Sequence, residues 1–475
     1  MERIRLAILG VAALALLMLP TGCNREESLL DANNPVTITV WTYYGGVVLN
    51  AFDAAVARFN ETLGRERGVI VETYSFGGVS DLEAAVTASA RREVGSMALP
   101  NIFQAFPDTA YLAQQMGLLM NLDNYFSPEE QAAYFSPFIE RGRIGLEGEL
   151  RIFPIAIAAE AMFLNYTDWR PFADAHGLTL TDLRTMEGVA RVAQLYYHYS
   201  GGRSFYGRDQ FANFMIIGSK QFGTEIFEVE GGRATININR QAMRRIWDYY
   251  YVPFISGYFA MHGRFRSDDL RVGDILAYAG STVASVFFPA DVRAEGETRP
   301  IVGMALPSPL FAGATPTIIQ QGAGMVVTLA TPAEEYASLL FLKWFTEPEQ
   351  NILFAGQSAY MPVRTESMDI QRIRAAMAEA GLALPEIADA ALSLALQEMQ
   401  THVVYATASF TGGVEARAIL THDLQNKAIA DRAAVLALVE DGLPRAEAIA
   451  RFNTDAAFDA WLTQFEARLV AAAGG

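Results

Sequence analysis

The sequence predicts an α/β fold in which parallel strands alternate with crossover helices. Strand and helix patterns alternate from residue 36 onwards, and this order is typical of a parallel sheet covered by helices. The composition, 51% hydrophobic and only 19% charged, excludes a mainly disordered chain. The length of 475 residues predicts two or three domains, each with a core of its own.

The first strands and helices follow one another with short turns between them. Alternating apolar and threonine residues predict the first strand, and helical spacing of large apolar residues predicts the helix after it. A capping box of Ser80 and Glu83 predicts the start of the second helix. The predicted elements are a strand at 36–41, a helix at 47–63, a strand at 69–74, a helix from 80, a strand at 100–106 and a helix through Leu112 and Met116.

Ligands of such sheets bind beyond the carboxyl ends of the strands. The loops at those ends are 42–44, 75–77 and 104–108. We therefore expect a binding site where these three loops meet.

The rest of the chain continues the same pattern and then becomes helical. Ser127-Pro128-Glu129-Glu130 predicts a helix start, and an amphipathic pattern predicts a helix at 333–345. The last hundred residues read as alanine-rich helices broken at glycines. Further strands are predicted at 150–154, 161–165, 273–281 and 322–327.

The first residues have the pattern of a secretory signal. Arg3 and Arg5 precede an apolar run from Leu6 to Leu19, which is too short to span a bilayer. Cys23, the only cysteine, follows directly, so no disulfide framework is possible. The segment resembles a bacterial lipoprotein signal peptide, which implies cleavage before Cys23, lipid on that residue, a signal at 1–22 and a tether at 23–35.

Charge and motif content exclude several classes of function. The formal net charge of −17 argues against a nucleic-acid binder or a general binder of anionic membranes. The five histidines form no close pair, so no zinc site is expected. No nucleophile elbow or phosphate-binding loop occurs, and we expect no metal and no cofactor.

Five segments in a consistent order carry a family resemblance. They are the strand, Trp41 and long helix at the start; Pro100 to Phe103 followed by Gly117 to Asp123; Pro154 through Glu160 to Asn165; Gly273 to Ser281; and Ala337 to Gln350 followed by Met361 to Arg364. From residue 36 to about 465 the chain thus resembles the extracellular solute-binding proteins of ABC importers. The carbohydrate class, which includes maltose-binding and glycerol-3-phosphate-binding proteins, is the most similar.

The resemblance implies a two-lobe periplasmic-binding-protein fold with a ligand cleft between lobes joined by hinge strands. Residues 36–154 and 318–361 would form one lobe, and 155–317 and 362–475 the other. It also implies a monomer on the periplasmic or extracellular side of a bacterial membrane. There it would capture a small polar solute and pass it to permease subunits, without catalysis.

Aromatic and polar residues near the strand ends are the candidates for ligand contact. A sugar presents flat C–H faces and an edge of hydroxyls, so rings and planar polar groups suit it. Trp41 and Phe103 lie inside strands and are predicted to be core. The candidate rings are Tyr43, Tyr44, Phe76, Phe106 and, from the other lobe, Tyr206 beside Phe205.

The polar candidates include Glu160, a carboxylate in an apolar stretch where it needs a partner. Asp108 reads either as a helix cap or as a ligand contact. Arg364 reads equally as a ligand contact or as part of an ion pair at the hinge. The other polar candidates are Gln104, Gln320, Gln321, Gly280 and Ser281.

Three functions stay open on the sequence alone: a solute receptor, a surface glycosidase, and a sensory lipoprotein with the same fold. The strand-end loops contain no lysine or arginine before Arg364, whereas a phosphate ligand favours arginines or a helix N-terminus. The sequence therefore favours a neutral mono- or oligosaccharide over an anionic solute.

Overall fold

Two four-stranded sheets organise the fold. The structure is a computed structural model that describes residues 29–144, 147–294 and 296–474. Its strands are β1 Val36–Thr42, β2 Val69–Ser75, β3 Ile102–Ala105, β4 Arg143–Ile144, β5 Glu149–Leu150, β6 Glu160–Asn165, β7 Tyr206–Arg208, β8 Phe227–Glu230, β9 Arg233–Ile236, β10 Ala277–Ser281, β11 Asp291–Ala294, β12 Glu297–Pro300, β13 Gly303–Pro307, β14 Thr317–Ile319, β15 Gly324–Val327 and β16 Val403–Tyr405.

Helices cover the faces of both sheets. They are α1 Gly46–Glu61, α2 Leu63–Arg67, α3 Val79–Ala90, α4 Pro107–Gln115, α5 Pro128–Ala132, α6 Ser136–Arg141, α7 Tyr166–His176, α8 Met186–Tyr199, α9 Phe211–Gln221, α10 Arg240–Ile246, α11 Val252–Ile255, α12 Arg266–Arg271, α13 Pro332–Phe345, α14 Pro348–Ser358, α15 Ile370–Glu379, α16 Glu386–Thr401, α17 Gly413–Glu440, α18 Arg445–Ala450 and α19 Asp455–Ala473. A π-helical stretch, Trp247–Tyr251, joins α10 to α11.

The first sheet has the strand order β2-β1-β3-β15. Strand β1 is parallel to both neighbours, and β15 returns antiparallel to β3. Helices α1 and α3 make the crossovers, which confirms the α/β prediction. We call the elements packed on this sheet the first lobe.

The second sheet has the order β13-β6-β10-β7 and mixes parallel and antiparallel pairs. We call the elements packed on it the second lobe. Each sheet has its own apolar core. Phe52, Phe59 and Phe341 belong to the first core, and Trp247 and Tyr251 to the second.

Several chain segments connect the two lobes. Ala158 and Gln321 exchange backbone hydrogen bonds of 3.0 and 2.8 Å, and Ile157 pairs with Met361. Strand β14, which leads back towards the first lobe, runs parallel to β16 near the C-terminal helices. Helix α15, which the sequence grouped with the second lobe, shares the first core through Ile373. The exact lobe boundaries stay a prediction.

Two local predictions were wrong. Helix α3 begins at Val79, and its N-cap residue is Gly78, which has no side chain to cap the helix. Ser80 therefore lies inside the helix and forms no capping box with Glu83, which accepts a hydrogen bond from Thr109. The strand expected at 150–154 is limited to the two residues of β5. The helix start predicted at Ser127, in contrast, is confirmed, and Ser127 and Glu130 form a capping box there.

Candidate ligand cleft

A cavity of about 450 Å³ lies between the lobes, within the size range of small-molecule sites. The first lobe lines it with α6 and β4, and the second lobe with the β8–β9 turn and the segment after β16. Gln320, in a connecting segment, lines it as well. The lining residues are Pro107, Pro137, Glu140, Arg141, Arg143, Ile144, Val229, Gly231, Gly232, Gln320, Val404, Tyr405, Ala406, Thr407, Ala408 and Ser409.

The strand-end loops of the first sheet meet as the parallel topology predicts. The Tyr43 amide donates to Gln104 Oε1 at 3.0 Å, which ties the loop after β1 to β3. The Tyr43 ring stacks near Phe106, with centroids 6.1 Å apart. Its hydroxyl lies 3.3 Å from that of Tyr360 and accepts a bond from the Ala323 amide. Tyr43 and Phe106 are half-buried, so their ligand role stays a prediction.

Two aromatic candidates are core residues, which corrects their assignment to the cleft. Tyr44 is 3% exposed and packs on Phe52 and Tyr360, because the chain turns inward there to start α1. Tyr206 is fully buried within β7. Phe76 is half-buried and packs edge-on against Trp41 at 5.1 Å. Trp41 and Phe103 are core residues, which confirms that prediction.

Four charged side chains gather where the lobes meet near the cavity: Glu83, Asp108, Arg141 and Arg417. We call them the cleft cluster. Asp108 Oδ1 lies 2.5 Å from the position that a Cβ on Gly413 would take, so the first lobe touches the start of α17. Among the described residues, Arg417 donates to Asn213 Oδ1 at 2.6 Å and Arg141 to the Gly322 carbonyl at 2.8 Å.

Burial dominates the electrostatics of the cleft cluster. It raises the pKa of Asp108 to about 6, although the charge of Arg417 lowers it. Burial also lowers the pKa of Arg141 to about 10, and the like charge of Arg417 adds to that effect. The two carboxylates and two guanidinium groups balance in formal charge at neutral pH.

Gln320, one of the residues that line the cavity, has a buried planar amide without a hydrogen-bond partner among the described residues. The residue is 2% exposed, and neither its Oε1 nor its Nε2 has a hydrogen-bond partner among the described residues. Buried polar groups are usually paired, because an unpaired one costs about 1–3 kcal/mol. A ligand hydroxyl can both donate and accept, so it can satisfy such an amide.

Glu160 has three side-chain partners in a buried network at the connecting segments. It forms a buried ion pair with Arg208, and it accepts from Gln321 Nε2 at 3.0 Å and from the Ser308 hydroxyl at 3.4 Å. Burial raises the pKa of Glu160, and the charge of Arg208 opposes that shift. The expectation that this carboxylate needs a partner is confirmed, while contact with a ligand stays a prediction.

The remaining candidates have local structural partners. Ser281 Oγ accepts the Val283 amide at 3.4 Å and caps a short 3₁₀ helix. Gly280 is buried in β10, where a Cβ would lie 3.2 Å from Asp209 Oδ2. Arg364 donates to the Thr346 carbonyl at 2.8 Å and stacks over a tyrosine ring rather than pairing with a carboxylate.

Sequence reasoning missed Arg141, Arg417 and Tyr405. None of them lies in a strand-end loop of the first sheet, where the candidates were sought. Arginines do line the cavity, but Arg141 and Arg143 come from α6 and β4 and not from the strand-end loops. One sequence signal could have pointed to Arg417. A glycine pair, Gly412-Gly413, stands at the start of α17, much as Gly77-Gly78 stands before α3.

Contacts across the mouth of the cleft join the lobes directly. Gln115 Nε2 donates to Thr411 Oγ1 at 3.3 Å. The Arg264 guanidinium lies 4.0 Å from the Asp81 carboxylate. The lobes of the structure therefore touch at two separate places.

Residues 29–144, 147–294 and 296–474 contain neither a metal site nor a membrane-spanning helix. No group of three or more histidine, cysteine or carboxylate side chains is arranged to hold a metal ion. No helix in those ranges has the length and apolar character needed to cross a bilayer.

Solved structures share this fold across nearly the whole chain. The cyclic α-maltosyl-1,6-maltose binding protein from Arthrobacter globiformis is 17% identical, covers 93% of this chain and 100% of its own, and gives a TM-score of 0.66. UgpB from Mycobacterium tuberculosis, in complex with glycerophosphocholine, is 17% identical with 92% and 99% coverage and a TM-score of 0.69. MalE from Bdellovibrio bacteriovorus, bound to maltotriose, is 12% identical with 90% and 99% coverage and a TM-score of 0.63. At these identities the likeness shows the fold, that of two-lobe binding proteins.

A profile of the family described as bacterial extracellular solute-binding protein matches residues 54–380. That range is more than half of the chain, and the protein belongs to this family. Membership indicates solute binding at a periplasmic or extracellular location. No curated protein sequence matches the chain.

Proposed function

We propose that this protein captures a neutral mono- or oligosaccharide between its lobes and presents it to the permease of an ABC importer. The observation that carries the proposal is the Gln320 amide, buried beside the cavity with both polar atoms unpartnered. The balanced charge of the cleft cluster also favours a neutral ligand. One of the structural neighbours named above, MalE, is bound to maltotriose, and another is described as a binding protein for a cyclic maltosyl-maltose.

The test is calorimetry with the mature chain against a panel of neutral sugars, polyols and glycerol phosphate. A binding sugar should lose affinity by about 5- to 150-fold in Gln320→Ala, equivalent to about 1–3 kcal/mol. The apo variant should fold normally, because Gln320 makes no side-chain bond that the change would break. Gln371→Ala, which removes an exposed amide on α15, is the matched control and should bind like the wild type.

Two results would contradict the proposal. One is tight, salt-sensitive binding of glycerol phosphate with no response to any neutral sugar. The other is hydrolysis of the bound sugar, detected by chromatography after incubation, which would favour the glycosidase alternative. Recovery of intact sugar supports a receptor that acts by differential affinity and not by turnover.

The proposal includes a lipid anchor on Cys23, which lies outside the described residues together with the expected signal at 1–22. Several acyl chains hold a protein at a membrane far more firmly than one. Cys23→Ser should therefore release the protein or leave it uncleaved. A mutant that is processed and membrane-bound like the wild type would contradict the anchor and leave solute binding untouched.

A further inference from the structure

Two arginines of the second lobe come together on the backbone of Gly257, away from the cleft. Arg445 Nη2 lies 2.8 Å and Arg432 Nη2 3.4 Å from the position that a Cβ on Gly257 would take. Gly257 has a φ of +81°, so both its backbone conformation and this close approach require glycine. Arg432 lies about 22 Å along α17 from Arg417, since an α-helix rises about 1.5 Å per residue.

Local contacts hold both guanidinium groups in place. Arg432 Nη1 donates to the Phe259 carbonyl at 2.8 Å. Arg445 Nη2 donates to the Ser256 carbonyl at 2.6 Å, and its guanidinium group lies over the Tyr197 ring, 4.8 Å from the ring centroid. Because these contacts fix the two groups before any ligand arrives, binding to them costs little side-chain entropy.

Neither guanidinium group is neutralised by a carboxylate. Among the described residues, Arg432 and Arg445 bond to backbone carbonyls and form no ion pair. Burial lowers the pKa of Arg432, and the like charge of Arg445 lowers it further. The neighbouring carboxylate, Asp431, is bonded to Tyr251 and Lys427 instead. The two positive charges therefore repel each other without compensation.

This arrangement differs from that of other arginines in the same lobe. Arg240, Arg244 and Arg468 each form an ion pair with an aspartate. Bonds to backbone carbonyls need only a neutral donor, such as an amide or a hydroxyl, so they do not account for two adjacent cations. An anion that binds between the arginines would remove the repulsion.

Both arginines also keep N–H donors that solvent can reach. Arg432 Nη2 and Arg445 Nη1 have no hydrogen-bond partner among the described residues, and neither is a buried atom. The two side chains and Tyr197 are half-buried, so the pair opens to the surface of the second lobe. Guanidinium groups bind phosphate oxygens through such paired donors, and two of them match the charge of a phosphate dianion.

We propose that Arg432 and Arg445 form a phosphate-binding site on the second lobe, separate from the ligand cleft. The ligand is a phosphate group, either free or in a lipid headgroup. The net charge of −17 repels anions from the surface as a whole, so phosphate binding has to come from a local group of cations such as this pair. The site adds a second binding function to solute capture and does not depend on it.

The test is the substitution Arg445→Gln in the full mature chain. Inorganic phosphate and glycerophosphoglycerol, the headgroup of phosphatidylglycerol without its acyl chains, are titrated by calorimetry at constant ionic strength. The wild type should bind at least one probe, and Arg445→Gln should weaken that binding at least about tenfold, because a charged donor is lost. Tighter binding of inorganic phosphate indicates a free phosphate as ligand, and tighter binding of the diester indicates a lipid.

Two further variants separate the site from a general effect of charge. Arg451→Gln is the matched control, because Arg451 is exposed at the end of α18 and carries the same charge. It should bind phosphate like the wild type. Arg445→Lys keeps the charge but loses the planar pair of donors, so its affinity should lie between those of the wild type and Arg445→Gln.

The inference is overturned if the wild type binds neither probe, or if folded Arg445→Gln binds as tightly as the wild type. An equal loss in Arg451→Gln would overturn it as well. Thermal melts confirm folding, and Arg432→Gln, which should also weaken binding, is the second variant if Arg445→Gln unfolds. Sugar binding in the cleft should be the same in all these variants, so a failure here is distinct from a failure of the proposed function.

Discussion

The buried charges around Glu160 and those of the cleft cluster differ in where their partners come from. Around Glu160 the partners Arg208, Gln321 and Ser308 make direct bonds, and all belong to the second lobe or the connecting segments. In the cleft cluster the carboxylates come from the first lobe and Arg417 from the second. No ion pair within 4.0 Å joins Asp108 to either arginine among the described residues.

The contrast separates a permanent network from one that depends on lobe position. A charge whose partners share its lobe stays paired whether the cleft is open or closed. A charge that faces the other lobe is desolvated only when the lobes approach, so it is free to exchange its neighbours for a ligand. Hinge motion in two-lobe proteins uses such differences in contact between states.

The largest expected effect comes from breaking the permanent network. Arg208→Met leaves the Glu160 carboxylate buried without its cation, and we expect the free energy of unfolding to fall by about 3–5 kcal/mol. Urea denaturation at pH 7 measures this. Arg417→Met is the matched control, with a smaller expected loss of about 1–3 kcal/mol, since Arg417 makes no close ion pair among the described residues and the variant loses only its hydrogen bond to the buried Asn213.

Equal losses in the two variants would remove the distinction between the regions. The double variant Glu160→Gln with Arg208→Met sharpens it further. Removing both charges should recover much of the stability lost by Arg208→Met alone, because the uncompensated carboxylate is then gone.

A second, smaller effect concerns Glu398 on α16, which is buried near Glu160. Burial, followed by the negative charge of Glu160, raises the pKa of Glu398 to about 8 from 4.5. Because the folded-state pKa is the higher one, this group's contribution to stability is complete below about pH 4.5 and is lost as the pH rises through 8. Glu398→Gln should therefore match the wild type at pH 5 and exceed its stability by about 2 kcal/mol at pH 9.

Melting temperatures between pH 5 and pH 9 measure this difference. Glu386→Gln, at the exposed start of the same helix, is the control and should follow the wild-type profile. Parallel profiles for Glu398→Gln and the wild type would show that Glu398 ionises freely in the folded protein.

Local patterns in the sequence predicted the first sheet well. The alternation in β1 and β2 and the short turns between elements are local signals, and they also placed the loops of Tyr43 and Gln104 together. Local patterns could not show that Tyr44 is a core residue while Tyr43 is only half-buried. The two are neighbours in one loop, and only the path of the chain into α1 decides which ring enters the core.

The cleft itself could not be predicted from local patterns. Arg417 and Tyr405 follow Tyr43 by more than 350 residues, and their approach depends on how β16 pairs with β14 and on where α17 begins. Gly412 and Gly413 were interpreted from the sequence only as a break between helices. At Gly413 the missing side chain instead makes room for Asp108. This contact joins distant parts of the chain, so it produces no periodic pattern in the sequence.

The smallest expected effect tests lobe contact at the exposed rim. Asp81 and Arg264 are each about two-thirds exposed and lie 4.0 Å apart across the cleft mouth. Exposed pairs of this kind contribute about 0–1 kcal/mol, so Asp81→Asn should leave the unfolding curve nearly unchanged. Since the pair exists only while the lobes touch, its loss should instead favour the open form and raise the radius of gyration of the unliganded protein slightly in small-angle scattering.

Arg374→Met, which removes an exposed pair between α15 and α16 away from the mouth, should not change that radius. An identical radius for Asp81→Asn and the wild type, in protein that a saturating sugar still compacts, would show that the rim pair has no part in holding the lobes together.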